Sequence, residues 1–438
     1  MSITCKSLLL AAAITGLSAC TPSAENTDES AAATPVATVV TPSDATLTQP
    51  DVDLASIHSA ALVLDAHADI EIPGQEDRYV GADGLSKVSP EKMRAGGVDA
   101  VVMSIAVGPG GRTPEAYAEA DKKAQAELAS VQALVADPSN NTVIARSAEE
   151  LLSAHAAGKS ALILGFQNAR ILGGDVNKLD QYYADGVRLF ALTHMGHNAF
   201  ADSSRPIYIG ELGRHEPVEE HGGLSDLGRA AITRINTLGA VVDISQLSKA
   251  AAMQVLALST APVIASHSNV RALTDVSRNL SDEEIDRIGE LDGVIHIAPF
   301  KAYLYDSTNQ ALDGQIRVAR REAGVAEDYY YPFELYWEID DTEIQTKFLT
   351  TVSGLLGPSS VELMLNHIDY VVKRIGVEHV GIGTDFNHGS GIDGYVDASE
   401  AMNVTAGLLA RGYSQLDINK IWGGNFLRVM RAAAAKAQ

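Results

Sequence analysis

The segment ALVLDAHADI at 61–70 begins apolar and ends with Asp65, His67 and Asp69 at alternate positions. Residues two apart on a strand face the same way, roughly 6.6 Å apart along the chain. A buried strand would therefore deliver these ionisable side chains together. An imidazole beside a carboxylate suits a borderline or hard divalent ion, with zinc the default. HAD alone is a short pattern that recurs by chance, and a lone histidine is more often structural, so the inference rests on what accompanies it. Gln167 ends LILGFQ, His194 ends RLFALTH, Asp243 and Gln246 follow AVV, His267 ends VIASH, and Asp385 ends VGIGTD. Each of these polar residues closes an apolar run. Asp385 fits general acid–base work, because a carboxylate beside a metal-activated water can accept its proton and pass it to a leaving amine.

Elements that could bring these side chains together are visible in the pattern. Short β-branched runs at 61–64, 98–105, 162–165, 187–192, 240–244, 263–265, 294–297 and 380–383 alternate with Ala-, Glu- and Leu-rich stretches such as 114–136 and 227–238. Strands alternating with helices predict an α/β protein, a (β/α)8 TIM-type barrel, whose C-terminal strand ends form the active face. A doubly wound open sheet is the alternative. The Gly-rich VGPGGR at 107–112 lacks a phosphate-binding spacing and reads as a loop. Residues 301–345 break the alternation near the last strands and contain DYYYPFELYWEID. This insertion reads as a lid, as a homodimer contact, or as plain packing on the barrel.

The chain has 438 residues, 46% of them apolar, and a formal charge of −23. That is enough apolar content for a large core. The charge argues against nucleic acid or an anionic membrane surface as partner. The start, MSITCKSLLLAAAITGLSAC, has Lys6 ahead of an apolar stretch too short to span a bilayer. Residues 1–19 read as a signal peptide, and LSAC resembles a bacterial lipobox in which Cys20 becomes the lipidated first residue. An ordinary cleaved signal with an incidental cysteine is the alternative. Residues 20–50, rich in Ala, Thr, Ser and Pro, read as a flexible tether, and 51–438 as the folded domain. With Cys5 removed and Cys20 acylated, no thiol would remain for a disulfide. Thr21 rather than Asp follows the cysteine, so the expected location is periplasmic, anchored to the outer membrane of a Gram-negative bacterium, with membrane contact through the lipid alone.

The ordered blocks VLDAHADI, LFALTH, VVDISQ, APVIASHS, SRNL, GIGTDF and NFLRV resemble those of the membrane (renal) dipeptidases, zinc metallopeptidases on amidohydrolase-like barrels, over roughly 55–432. The resemblance implies that His67 and Asp69 are metal ligands, His267 a ligand of a second metal, and His194 the group that polarises the scissile carbonyl. It implies that Asp385 is the acid/base, and that Arg278, otherwise read as a solvated surface charge, contacts substrate. Two positions depart from the pattern. The bridging glutamate is Gln167, and a second-site histidine is Gln246. A neutral amide brings no charge to offset two dications, so the expectation is one ion per chain, Zn2+ or else Mn2+, with His267 the weaker ligand and Asp385 beside His67 and Asp69. The function expected is hydrolysis of a dipeptide by metal-activated water. The alternatives are a binding or scaffold protein that kept the barrel, or a hydrolase of a related amide such as an N-acyl amino acid or lactam.

Overall fold

Strands here are runs buried on both faces, as parallel sheets covered by helices require. The computed structural model describes residues 53–72, 80, 81, 83–209, 214–325, 339 and 341–438. The signal peptide, Cys20, the tether and the aromatic run at 329–337 lie outside the described residues. Eight strands form the barrel: β1 (Leu64–Asp69), β2 (Ala100–Ala106), β3 (Ser160–Gln167), β4 (Val187–Ala191), β5 (Val241–Asp243), β6 (Ile264–Ala265), β7 (Val294–Ile297) and β8 (Val380–Ile382). They are hydrogen-bonded in that order, all parallel. A short outer strand, Thr142–Ile144, pairs alongside β3.

β8 returns to β1. Asp385 donates its backbone N–H to the His67 carbonyl at 2.8 Å, and Asp69 donates to the Phe386 carbonyl at 2.9 Å. This nearly closed ring decides for the barrel over an open sheet. Every expected run became a strand, most with shifted ends. The largest shift is in β1, where 61–63 form a lead-in and the strand itself carries His67 and Asp69.

Alternation sorts the core into layers. Val101, Met103 and Ile105 of β2 pack outward into the helix-facing cluster, with Val63, Leu162, Phe190 and Ile382. Ala100 and Val102 point inward, with Leu64, Ile163, Leu189, Val241 and Val294. Phe426, Val429, Met430 and Ala433 of the helix Asn425–Ala434 join that inner cluster. The amino-terminal end of the barrel is thereby plugged with apolar side chains, and polar ones collect at the other end.

The helices begin on sequence signals. Pro90 and Pro114 open helices Pro90–Gly96 and Pro114–Ala136, with Ser89 and Thr113 as caps. Ser281 and Glu284 make a reciprocal capping box on Asp282–Glu290. These residues satisfy first-turn N–H groups that the helix itself cannot. Gly383 has a packing reason to be glycine: a Cβ there would lie 1.8 Å from the Ser266 carbonyl oxygen. The chain leaving β8 can approach the end of β6 that closely only without a side chain.

The insertion after β7 builds helices Gln310–Glu322 and Thr342–Leu355. Leu312, Ile316, Phe348 and Val352 form a separate cluster with Val276, Ala298 and Tyr303. Among the described residues, plain packing on the barrel is therefore part of what this insertion does.

Glu127, on the long helix after β2, is buried and accepts the Ala106 N–H at 2.7 Å, with Lys123 at 3.4 Å. Burial pushes its carboxyl up to about 8, against the smaller opposing pull of Lys123. A carboxyl raised in the folded state stays protonated there while the unfolded chain ionises. Its contribution to stability is therefore full below the ordinary carboxyl range and is lost as pH rises towards 8. Glu127→Gln is expected to match the parent near pH 5 and to exceed it by roughly 1–3 kcal/mol near pH 9, read from urea denaturation at both pH values.

Candidate metal centre and active site

The polar end of the barrel is assembled by the seam between β1 and β8. The register of β1 against β2 shifts between Asp65 and Ala68, a bulge of the kind that re-aims side chains beside active sites. Asp65 fixes the backbone at this seam. Its carboxylate accepts the Thr384 N–H at 2.7 Å, the Thr384 hydroxyl at 2.5 Å and the His67 N–H at 3.1 Å. Burial pushes the Asp65 carboxyl up to about 6, opposed by these donors. Asp385 follows Thr384 directly and sits at φ +57, in the left-handed region that Asp tolerates better than most residues.

His67, Asp69 and Asp385 converge, each offering one ligand atom within 4.8 Å of the others. His67 Nε2 lies 3.4 Å from Asp69 Oδ1 and 3.9 Å from Asp385 Oδ1. Both His67 Nε2 and Asp69 Oδ1 are buried with no hydrogen-bond partner. Leaving such groups unsatisfied is costly, and a cation between them removes the cost. Burial lowers the His67 pKa, but Asp69, Asp385 and Asp243 outweigh it and the net shift is upward. The carboxylates that favour a proton on this imidazole would equally favour a divalent ion. The donor set of one imidazole and two carboxylates thus fits the metal that the sequence implies.

A second trio, His67, Asp243 and His267, also lies within ligand spacing. Asp243 is already engaged there, accepting the Ser245 N–H at 2.9 Å, the Ser266 N–H at 3.0 Å and the Ser266 hydroxyl at 2.5 Å. His267 stacks on His67 with ring centroids 3.8 Å apart. Its Nε2 is met by Gln246 Nε2 at 3.1 Å and Gln167 Nε2 at 3.4 Å. The two glutamines noted in the sequence are therefore neighbours, both directed at the same imidazole.

His194 is buried, with Nδ1 lacking a hydrogen-bond partner. Burial and the nearby charges of His388 and Arg205 hold it well below its ordinary pKa. It is therefore a neutral imidazole able to donate one N–H. Arg278 is not a surface charge. It is 2% exposed, its Nη2 donates to the His267 carbonyl, its Nη1 to Ser268 Oγ at 3.2 Å, and its guanidinium carbon lies 4.5 Å from the Tyr303 ring centroid. Arg278 Nε is buried without a partner, a donor left for something else.

Two residues escaped the sequence reading. His388 Nδ1 lies 2.9 Å from Asp69 Oδ2 and its ring meets His194 edge-on at 5.0 Å. Burial would lower the His388 pKa, but the Asp69 carboxylate raises it overall. Arg205 is buried and donates through Nη2 to Gln246 Oε1. Neither terminates a strand, so neither carries the signal that exposed the others. Gln246, singled out in the sequence by the resemblance, sits at φ +68.

The chain can be set against known proteins on this geometry. The sequence profile described as membrane dipeptidase (peptidase family M19) matches residues 53–438. The chain is 32% identical over 277 residues to dipeptidase aclJ of Aspergillus oryzae, covering 63% of this chain and 52% of that protein. It is 30% identical over 294 residues to dipeptidase tcpJ of Claviceps purpurea, covering 67% and 56%. It thus spans about half the length of these fungal relatives. The crystal structure described as the "probable dipeptidase PvdM" from Pseudomonas aeruginosa superimposes with a TM-score of 0.77 at 34% identity, over 88% of this chain and 98% of that one. A metallo peptidase from Rhodobacter sphaeroides, liganded with a phosphinate mimic of the dipeptide L-Ala-D-Ala, shares the fold at TM-score 0.66 and 21% identity, over 85% and 99%. With the barrel, the converging His–Asp–Asp group and a match that runs through the whole folded domain, the chain belongs to the membrane dipeptidase family.

Proposed function

We propose that this protein is a dipeptidase that works with one divalent ion, zinc or manganese, held by His67 and Asp69 with Asp385 facing it. The observation that carries this reading is the contrast between two imidazoles. His67 Nε2 is buried and unpartnered beside two carboxylates, whereas His267 Nε2 is engaged by two amides. When bound, the ion supplies a Lewis acid that activates water and polarises the scissile carbonyl.

The chain's own groups do the rest. Asp385, aimed by Thr384 and the β1 backbone, takes the proton of the attacking water and returns it to the departing amine. His194, neutral at working pH, donates its N–H to the developing oxyanion. Arg278 presents its unpartnered Nε to the free carboxylate of the substrate, which in a dipeptide lies one residue from the scissile bond. The names of the relatives support the substrate class. A second reading, a binding protein that lost catalysis, is favoured by Gln167 and Gln246 replacing acidic and imidazole donors.

Metal analysis of purified protein is expected to return about one equivalent of divalent ion. His67→Ala or Asp69→Asn should weaken binding by roughly 100-fold or more, while His267→Ala should keep the ion; about two tightly held equivalents would refute the one-ion reading. A dipeptide library assayed with Zn2+ or Mn2+ decides between enzyme and binding protein. In the enzyme, His194→Ala should lower kcat by roughly 10²–10³ without loss of bound ion, and no turnover of any dipeptide, N-acyl amino acid or lactam would favour the binding reading.

The reading extends to location, with Cys20 as the lipid anchor that holds the domain at the periplasmic face of the outer membrane. Among the described residues no helix is long and apolar enough to cross a membrane. Cys20→Ser is expected to move the protein from the membrane fraction to the soluble periplasmic fraction; unchanged fractionation and processing would refute the anchor.

A further inference from the structure

The glutamine side of the site has a single consistent direction of hydrogen bonding. Ser266 gives its hydroxyl proton to Asp243, at 2.5 Å. Ser266 Oγ must then accept from His267, whose Nδ1 lies 2.7 Å away. That assigns the His267 proton to Nδ1 and leaves Nε2 with a lone pair. Arg205 can only donate, so the Gln246 atom it meets is the amide oxygen. The Gln246 NH2 is thereby turned toward His267 Nε2, at 3.1 Å. Gln167 offers a second NH2 to the same nitrogen at 3.4 Å.

The Arg205 side chain is buried and its backbone is tied down. It is 3% exposed, its N–H donates to Ser203 Oγ at 3.2 Å, and its carbonyl accepts the Gly196 N–H at 2.9 Å. The same loop is tied to Gln246 itself, since Ser204 N–H donates to the Gln246 carbonyl at 2.9 Å. Gln246 keeps its left-handed backbone at φ +68, a conformation costly for this residue type and sustained by its surroundings.

We propose that Arg205 is a fixed cation that closes the second metal position, by turning the Gln246 amide onto the His267 lone pair and placing a permanent positive charge beside it. His267 is then a positioning residue, stacked on His67 and keeping that imidazole aimed at Asp69, and not a ligand. This rests on the one-ion reading above. A guanidinium cannot lose its proton to make way for a dication. The lone pair that a second ion would need is available only if Gln246 breaks from Arg205. Restoring the acidic and imidazole donors alone is therefore insufficient, because the charge that excludes the ion remains.

The test is metal stoichiometry of the full chain after equilibration with Zn2+ and removal of free ion. Parent, Q167E/Q246H and Q167E/Q246H/R205M are compared, with circular dichroism as the folding control. The expected values are about one, one and two equivalents. Two equivalents in the double variant would overturn the role of Arg205, as would one equivalent in a folded triple variant. Two in the parent would instead overturn the one-ion reading itself. Should the triple variant not fold, 15N-histidine spectra of the parent decide, with His267→Gln assigning the signal. On adding one equivalent of Zn2+ to metal-free protein, the His67 Nε2 resonance should shift and His267 should retain its Nδ1–H tautomer with Nε2 uncoordinated. A coordination shift at His267 Nε2 would overturn the proposal.

Discussion

Everything at the mouth of the barrel depends on how β1 meets β8. The two strands are the ends of the sheet and come from opposite ends of the folded chain, joined by few backbone bonds. The buried Asp65 carboxylate reinforces them by gripping both the N–H and the hydroxyl of Thr384. Because Asp385 is the next residue, that grip sets the distance between the carboxylate on one strand and the His67–Asp69 pair on the other. Gly383 allows it from the far side, since any side chain there would strike the Ser266 backbone. Charged groups of like sign are thus forced into proximity by packing, and the cost of their repulsion is what gives the centre its appetite for a cation.

The two sides of the centre resolve their polar groups differently. Around His67 the acceptors outnumber the donors, and buried atoms are left unsatisfied. Around His267 the donors and acceptors close on themselves, from Asp243 through Ser266 and His267 to Gln246 and Arg205. The stacked imidazoles, 3.8 Å apart, are chemically alike and differ in the partners of Nε2. Burial, together with His67, Arg278 and other nearby cationic groups, holds His267 well below its ordinary pKa, in keeping with a ring that serves as acceptor.

Much of this was legible from residue order. Barrel strands are apolar on both faces, so their runs stand out, and a polar residue that ends such a run announces itself. His67, Asp69, His194, His267 and Asp385 were found in that way. Strand ends were less legible: β1 starts at Leu64 although the apolar run begins at Ala61, and no local pattern marks that point. Arg278, His388 and Arg205 lie on loops, where no period separates a buried charge from a solvated one. Arg278 surfaced only through family resemblance. His388 and Arg205 needed coordinates, because their burial comes from segments distant in sequence. The structure also gives physical content to the glutamines, which from sequence were simply missing ligands and in three dimensions are donors with a common target.

The insertion after β7 has its own apolar cluster, built from Leu312, Ile316, Phe348 and Val352, and it meets the barrel through Val276, Ala298 and Tyr303. Of the groups at the mouth, it reaches Arg278, through the Tyr303 ring. The β1–β8 seam that holds His67, Asp69 and Asp385 has no share in that cluster. Selection can therefore remodel the insertion, and with it the setting of Arg278, without disturbing His67, Asp69 and Asp385. Within one barrel, two sides of the same mouth are free to evolve at different rates.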